Sequence, residues 1–238
     1  MEAVKKLKKR YCCVIPVYNN SGTVEDVVRR ALAVIDDVLI IDDGSTDANL
    51  PEKLAAYPLE VIRHQCNLGK GAALITALKI LAARNIDYMI TLDGDGQHFP
   101  EDIPGIIELL EGKTAPVLLS GVRDFSAEHV PAASCWGRRL SNYFINLETG
   151  AGVLDSQCGF RAYPVGVVSA IPCRARRYDL ESEIMLECAL RGIEIVNQPI
   201  KTYYPPADER ISHYRKFLDS CRIIKVHCRL LFKRFFCK

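Results

Sequence analysis

The sequence predicts an α/β fold, in which a single domain holds a mainly parallel, Rossmann-like sheet flanked by helices. Short β-rich runs alternate with helical runs through the first half of the chain, and this rhythm is typical of parallel sheets with helices on both faces. Polar motifs directly follow several β-rich runs, at the strand ends where such sheets bind ligands. No linker, repeat or low-complexity segment divides the 238 residues, a length that suits one domain.

The first half contains five predicted strands, which are Tyr11–Ile15, Val38–Ile41, Leu59–Arg63, Tyr88–Leu92 and Val117–Ser120. Helices are predicted between them at Thr23–Val34, Lys70–Ala83 and Pro100–Leu110. Thr23 and Asp26 have the spacing of a capping box, which marks the start of the first helix.

The second half is less regular, and we expect it to form one unit with the first. The predicted helices are Ser134–Leu147, Leu180–Arg191 and the tail from Tyr214 onward. Gly159–Tyr163 is predicted to be extended, and Glu194–Gln198 to be a strand that Pro199 ends.

Composition narrows the class of protein. A hydrophobic content of 49% and a charged content of 25% are ordinary for a globular enzyme. The net charge of +2 gives no indication of a nucleic-acid partner, and we expect none. The ten cysteines are scattered without a C-x-x-C pair, so a zinc knuckle or a thioredoxin-like motif has no support. Without a secretory signal or a spanning apolar stretch, a reduced, cytoplasmic protein is expected.

The sharpest motif is the acidic turn after the fourth strand, where Asp93 and Asp95 are two residues apart. Two carboxylates at this spacing can bind one divalent ion while diphosphate oxygens complete its coordination, an arrangement that suits Mg²⁺. A calcium-binding loop is excluded because His98 and Pro104 stand where that loop needs glycine and glutamate. A solvated acidic turn is the alternative for this motif taken alone.

Three further polar motifs are present. Two follow the first and second strands, and the third precedes the second long helix. The first strand continues into Pro16, Tyr18 and Asn19, which suit base stacking and hydrogen bonding. Asp42 and Asp43 end the second strand and offer carboxylates to a base or ribose. Lys70 stands between two glycines at the start of a predicted helix. This segment is either a polar loop close to a nucleotide or a simple N-terminal turn. A Walker loop is excluded by spacing.

Taken in order, these motifs resemble those of family 2 glycosyltransferases with the GT-A fold, and especially the polyprenyl-phosphate sugar synthase branch. The resemblance runs from about Tyr11 to Tyr214. It implies an inverting, metal-dependent hexosyltransferase that uses a nucleoside-diphosphate sugar and Mg²⁺ or Mn²⁺. The implied acceptor is lipid-linked or a polyprenyl phosphate, in the synthesis of cell-envelope glycans or glycolipids.

The resemblance also implies roles for individual residues. In the first half Pro16, Tyr18 and Asn19 face the nucleotide, Asp42 or Asp43 contacts its base or ribose, and Asp93, Asp95 and Gln97 hold the metal. Arg123, in a G-x-R element, meets phosphate through a guanidinium fork that engages two oxygens at once. The last segment resembles the family's mobile loop that closes over the diphosphate, and it carries the cations Arg210, His213 and Arg215. This loop departs from the branch's Gly-x-Ser-Lys pattern, which leaves the acceptor open.

Two segments of the second half have alternative interpretations. Arg161 ends a D-x-x-x-G-F-R segment that resembles the one lining the donor-sugar and acceptor region in the family, but a simple ion pair with Asp155 would also explain it. An acidic helix start contains Asp179, Glu181 and Glu183, and a hydroxyl acceptor would take its general base from one of these three. Alternatively, these carboxylates are simply negative charges that the helix dipole favours at a helix N-terminus. A phosphate acceptor is already an anion and needs no base.

Both ends of the chain are basic. The predicted organisation is a basic segment at 1–10, a glycosyltransferase domain at 11–215 and a basic amphipathic helix at 216–238. The helix has an apolar face that is suited to the surface of an anionic membrane or to packing on the core or a second subunit. The members of this face are Phe217, Cys221, Ile224, Cys228, Leu231 and Phe235.

Three rival classes are weaker. A sugar-nucleotide pyrophosphorylase needs an early glycine-rich loop, which the first strand lacks, and a Rossmann dehydrogenase needs G-x-G-x-x-G. A nucleotide-sugar-binding module without catalysis is disfavoured by the complete set of carboxylates. The sequence leaves the sugar, the base, the acceptor and the oligomeric state open.

Overall fold

The computed structural model describes residues 8–124, 132–204 and 221–230, with the backbone alone for 132–137. Its strands are β1 Tyr11–Val17, β2 Val38–Asp42, β3 Glu60–Arg63, β4 Tyr88–Thr91, β5 Val117–Arg123, β6 Arg161–Pro164 and β7 Glu194–Ile200. They form one seven-stranded sheet in the order β3-β2-β1-β4-β6-β5-β7. Only β6 is antiparallel to its neighbours. The predicted single domain with a mainly parallel sheet is confirmed.

Helices cover both faces of the sheet. They are α1 Val24–Leu32, α2 Leu50–Lys53, α3 Lys70–Ala83, α4 Ile103–Gly112, α5 Ala132–Thr149, α6 Val165–Val168 and α7 Asp179–Leu190, and residues 221–230 form α8. Successive β1 residues point to opposite faces, so Cys12 and Val14 join one hydrophobic core while Cys13 and Ile15 join the other. A strand buried on both faces is therefore apolar throughout.

The strand order reverses between β1 and β4. β2 lies on one side of β1 and β4 on the other, and all three run parallel. Their carboxyl ends therefore open at one edge of the sheet, at a topological switch point. The motifs that follow these strands meet there, as the sequence predicted.

Several predicted elements need correction. Thr23 makes no capping hydrogen bond; its hydroxyl donates instead to the carbonyl oxygen of Gly94 at 2.6 Å, which ties α1 to the acidic turn. Pro199 does not end β7, which continues to Ile200. β7 pairs with β5 alone and lies at the edge of the sheet, a place where a missing N–H donor is tolerated. The short helices α2 and α6 were not predicted.

The part of the basic N-terminal segment that is described closes the carboxyl ends of helices. The Lys9 ammonium donates to the carbonyl oxygens of Leu110 and Lys113, the latter at 2.8 Å, at the end of α4. Arg10 donates to the carbonyl oxygen of Arg84 at 2.8 Å, at the end of α3. Cations at this end of a helix complement its dipole and its unpaired carbonyls.

Helix α8 is attached to the domain by buried contacts. Val226 and Leu230 belong to the core, the His227 Nδ1 lies 2.7 Å from Glu148 Oε1, and Arg229 donates to Glu183. The described part of the predicted apolar face points outward, since Cys221, Ile224 and Cys228 are exposed. Among the described helices, none has both the length and the hydropathy to cross a bilayer.

Candidate active site

The ends of β1 and β2 are joined through Asn19. This residue has a φ of 51°, a left-handed conformation that asparagine tolerates better than most residues. Its side-chain oxygen accepts a hydrogen bond from the backbone N–H of Thr46 at 2.8 Å. Its own backbone N–H donates to the Ser45 hydroxyl at 3.1 Å. Pro16 and Tyr18 lie beside it, half-buried, at the carboxyl end of β1. These contacts fix the edge where a nucleotide is predicted to lie.

Asp42 and Asp43 are both buried but differ in their contacts. Asp42 Oδ1 accepts from the Ser45 amide at 2.8 Å, and Oδ2 has no hydrogen bond, with the Arg63 Nε at 3.4 Å. Asp43 is fully engaged: it contacts the His64 Nδ1 at 2.7 Å and accepts from the amides of residues 68 and 69. Asp42 therefore has one oxygen without a hydrogen bond but no exposed surface, so the predicted contact with a base or ribose is not available to it as it stands. Asp43 holds the loop that begins α3.

Lys70 connects the two halves of the chain at the centre of the site. Its ammonium lies 2.5 Å from Asp93 Oδ1 and 3.3 Å from Glu181 Oε1. Burial alone would lower the pKa of Lys70, but the charges of Asp93 and Glu181 raise it. Burial alone would raise the pKa of Asp93, but Lys70 lowers it. Lys70 and Asp93 are therefore charged, and Glu181 Oε1 is buried with no hydrogen-bond partner.

The carboxylate of Asp95 lies in a half-buried position beside a second negative charge, that of Asp93. Burial and the charge of Asp93 raise its pKa from 3.8 to about 6. The backbone N–H of Gln97 donates to Asp95 Oδ1 at 3.0 Å. This bond holds Gln97, which is half-buried, beside the acidic turn. A pair of close carboxylates with only one cation between them is suited to a further divalent cation.

The donor set fits an ion that is shared with a substrate. Among the described residues, no cluster of three or more histidine, cysteine, aspartate or glutamate side chains is arranged to hold a metal. Asp93 and Asp95, with Gln97, thus offer an incomplete set of oxygen ligands. Mg²⁺ is commonly bound by one or two carboxylates together with substrate phosphates, so this set fits such an ion.

Gly159 and His98 lie next to Asp93 of the acidic turn. The sequence predicted no role for either residue. A Cβ at position 159 would lie 2.3 Å from Asp93 Oδ2 and 2.7 Å from the Lys70 ammonium. Only glycine therefore leaves room for that ion pair, and the G-F-R segment was the available signal. Burial lowers the pKa of His98 to about 4, so its ring is neutral at pH 7, with Nδ1 3.9 Å from Asp93 Oδ2.

Arg123 pairs with Asp155. Its Nε lies 2.8 Å from Asp155 Oδ2 and its Nη2 3.0 Å from Oδ1, a fork geometry that is well suited to a carboxylate. Burial alone would lower the pKa of Arg123, but these bonds raise it. The predicted alternative for Asp155, a pair with Arg161, is wrong because Arg123 takes both carboxylate oxygens.

Arg161 lies beneath the site and has no exposed surface. Its three nitrogens donate to the carbonyl oxygens of Cys158 at 2.8 Å, Glu181 at 2.7 Å and Ser156 at 2.5 Å. The predicted direct contact with the donor is not available to a side chain so enclosed. Arg161 instead fixes the segment that carries Gly159 to the start of α7.

Glu183 is likewise turned away from the acidic turn. Its carboxylate accepts from the amides of Arg174 at 3.0 Å and Ala175 at 2.8 Å, and from Arg229 on α8. With only 2% of the side chain exposed, it has no access to an acceptor. Of the predicted acidic pair, Glu181 alone faces Lys70. Arg210, His213 and Arg215 lie outside the described residues.

Comparison with known proteins shows the family to which the chain belongs. The sequence model of glycosyl transferase family 2 matches residues 12–171. An uncharacterized protein of Methanocaldococcus jannaschii is 30% identical over 227 residues, which cover 88% of this chain and 95% of that protein. The UDP-N-acetylglucosamine–dolichyl-phosphate N-acetylglucosaminyltransferase of Methanococcus voltae is 28% identical over 80% of this chain and 84% of its own length.

Solved structures share the fold. Glucosyl-3-phosphoglycerate synthase from Mycobacterium tuberculosis, in complex with Mn²⁺, UDP and phosphoglyceric acid, superposes with a TM-score of 0.69 at 20% identity. The superposition covers 95% of this chain and 78% of the synthase.

Proposed function

We propose that this chain, which belongs to glycosyl transferase family 2, transfers a sugar from a nucleoside-diphosphate donor to a lipid-linked phosphate acceptor, with inversion. Its fold is GT-A, as the sequence predicted. The observation that carries the proposal is the cluster of Asp93, Asp95, Lys70 and Glu181, gathered at the switch point of the sheet.

The donor is assigned to the edge formed by β1, β2 and β4. Asn19 lies at the end of β1, on the nucleoside side, and the fully buried Asp42 supports this edge from the end of β2. Asp93 and Asp95 lie at the end of β4, on the diphosphate side. When bound, Mg²⁺ or Mn²⁺ would neutralise the charge that develops on the leaving nucleoside diphosphate. Asp93 and Asp95 would hold that ion, with Gln97 as a further oxygen ligand.

Lys70 and Glu181 then act on the sugar and acceptor side. Lys70 holds Asp93 in place and provides a positive charge near the departing diphosphate, where stabilisation of developing charge has its largest effect. Glu181 has a buried oxygen that is not hydrogen-bonded, so it can accept a hydrogen bond from a sugar or acceptor hydroxyl. A phosphate acceptor needs no base, and Glu181 would then orient the sugar.

A lipid-linked acceptor is supported by the Methanococcus voltae relative, whose name specifies dolichyl phosphate, and by an apolar surface. Helix α5 carries the exposed side chains of Leu140, Tyr143, Phe144 and Leu147, of which Leu147 is 68% exposed. The Phe144 ring lies 6.3 Å from the buried His227, so α5 packs against α8, on which Ile224 is also exposed. Exposed apolar patches of this kind mark interaction sites, and we infer contact with a membrane surface.

Metal-dependent binding of one nucleotide is the first expected result. A ligand that binds only the folded state at about 100 times its Kd adds about 2.7 kcal/mol of stability, which raises Tm by roughly 5–10 °C in a domain of this size. Thermal shift against nucleoside diphosphates and nucleotide sugars, with and without Mg²⁺ or Mn²⁺, measures this effect. No shift with any of them contradicts the proposal.

The same assay separates the alternatives. In Asp95→Asn the metal-dependent part of the shift should disappear, whereas Asp36→Asn, on an exposed turn, should behave as wild type. A shift without transfer of radiolabelled sugar to any prenyl phosphate indicates the binding module instead of the enzyme.

Membrane contact predicts a second result. Leu147→Glu with Ile224→Glu places charge at two exposed positions of α5 and α8, and vesicle binding should fall by about tenfold or more, because both apolar area and electrostatic attraction are lost. Co-sedimentation with anionic vesicles measures this binding. Ala55→Glu, at an exposed position between α2 and the edge strand β3, is the control for added charge. Unchanged binding of the double variant excludes this surface.

A further inference from the structure

The loop of residues 174–177, here called the arginine loop, lies against the start of α3. The Ala72 amide donates to the carbonyl oxygen of Arg176 at 2.7 Å. A Cβ at Gly71 would lie 2.5 Å from the carbonyl carbon of Arg176, so the two segments are in direct backbone contact. Lys70, which bonds Asp93, is the neighbouring residue. The arginine loop therefore borders the acceptor side of the site.

The arginine loop is held rigidly by its backbone. Glu183 accepts hydrogen bonds from the amides of Arg174 and Ala175, and the Arg177 amide donates to Asp179 Oδ1 at 3.1 Å. Arg229 of α8 donates to the same Glu183 carboxylate. These bonds fix the backbone of the loop. Arg174 and Arg176 are both exposed, and the Arg176 Nη1 makes one long hydrogen bond, of 3.4 Å, to the carbonyl oxygen of Ala175.

Three guanidinium groups stand within four residues and have no carboxylate of their own. The acidic residues that follow are already used: Asp179 and Glu183 accept backbone amides, and Glu181 faces Lys70. Within the described parts of the chain, no carboxylate lies within ion-pair distance of Arg174, Arg176 or Arg177. The Arg177 Nη1 donates to the Asn67 side-chain oxygen at 3.4 Å. Like charges held this close repel, and an anion between them relieves the repulsion.

We propose that the arginine loop binds the phosphate group of a lipid headgroup, through Arg174 and Arg176. Guanidinium forks engage two phosphate oxygens at once and are weakly hydrated, which suits them to phosphate. The headgroup is either that of the acceptor, beside Lys70, or that of an anionic lipid around it. The inference rests on the proposed function for the acceptor, and it adds a recognition element that none of the predicted site residues supplies.

The test uses the double variant Arg174→Ala with Arg176→Ala. Neither guanidinium forms an ion pair in the described structure, and the backbone bonds to Glu183 and Ala72 remain, so folding should be retained. Arg29→Ala, an arginine of α1 whose side chain is 64% exposed, is the matched control. The first assay is transfer to a water-soluble, short-chain prenyl phosphate without membranes. The second is co-sedimentation with phosphatidylcholine vesicles with and without phosphatidic acid.

Each outcome separates the sources of phosphate. A KM for the prenyl phosphate that rises by about tenfold or more at unchanged donor KM assigns the loop to the acceptor. An unchanged KM with a similar loss of binding to phosphatidic acid vesicles assigns it to the surrounding headgroups. Arg176→Lys should restore only part of either effect, because a lysine lacks the fork.

Two results would overturn the inference: both assays unchanged in the double variant, or an increase confined to the donor KM. Failure of the proposed function is distinguishable, because wild-type protein would then transfer no sugar at all. In that case the vesicle assay alone decides, and equal binding of wild type and double variant to phosphatidic acid refutes phosphate recognition by the loop.

Discussion

Asp95→Asn should reduce the rate of sugar transfer by about 10²–10³-fold or more, the usual cost of removing one group that stabilises developing charge. The asparagine keeps the size and one oxygen of the side chain but loses the negative charge that attracts a divalent ion. Its neighbour Asp93 is compensated by Lys70, so Asp95 supplies the charge that remains for the ion. Single-turnover transfer at saturating donor and metal measures the loss.

The same substitution should make the metal-free protein more stable. The pKa of Asp95 is raised from 3.8 to about 6, so the folded state binds this proton more tightly than the unfolded state does. Above pH 6 the folded protein therefore carries a cost, which is relieved as the pH falls from about 6 towards 4. After allowance for solvent screening we expect Asp95→Asn to recover about 1 kcal/mol at pH 7.5, or roughly 2–4 °C in Tm.

The pH dependence distinguishes this origin from a general effect on packing. The gain in Tm should be present at pH 7.5 and should shrink towards pH 4.5, where wild-type Asp95 is protonated. Asp36→Asn serves as the control, since its side chain lies on an exposed turn. A variant with full transfer activity, or one that is less stable than wild type at pH 7.5, would contradict the role of Asp95.

The edge of the sheet where the site lies could be predicted because its motifs are local. Asn19, Asp42 and Asp93 each follow a strand within a few residues, and parallel strands bring their carboxyl ends together whatever the rest of the chain does. Periodicity and strand ends were enough to place these residues side by side. The antiparallel direction of β6 is set by its pairing with β4 and β5, which no local pattern encodes.

The partners of buried charges could not be predicted in the same way. Asp155 and Arg161 stand six positions apart in one motif, yet Asp155 pairs with Arg123 from another strand. Glu183 follows Glu181 by two positions, and side chains two positions apart point to different faces of a helix. Burial makes an exact partner obligatory for each charge, and the partner comes from wherever the fold brings a complementary group.

Arg161→Lys tests this distinction and should have the largest effect on stability. The guanidinium donates to three carbonyl oxygens in different directions, which one ammonium on a shorter, tapering side chain cannot reach together. Each buried carbonyl left without a donor costs about 1–3 kcal/mol. Loss of one or two of them should lower Tm by about 2–24 °C, measured by thermal unfolding beside Arg29→Lys as the exposed control.

The kinetics of Arg161→Lys decide between support of the site and contact with the donor. Arg161 holds the backbone of Glu181, and it pairs in register with Thr91 at the end of β4. A loosened Arg161 should therefore lower kcat through the position of Glu181 while the donor KM stays close to wild type. A raised donor KM at unchanged Tm would instead mean that Arg161 reaches the ligand. The enclosed side chain and its three carbonyl partners favour the first result.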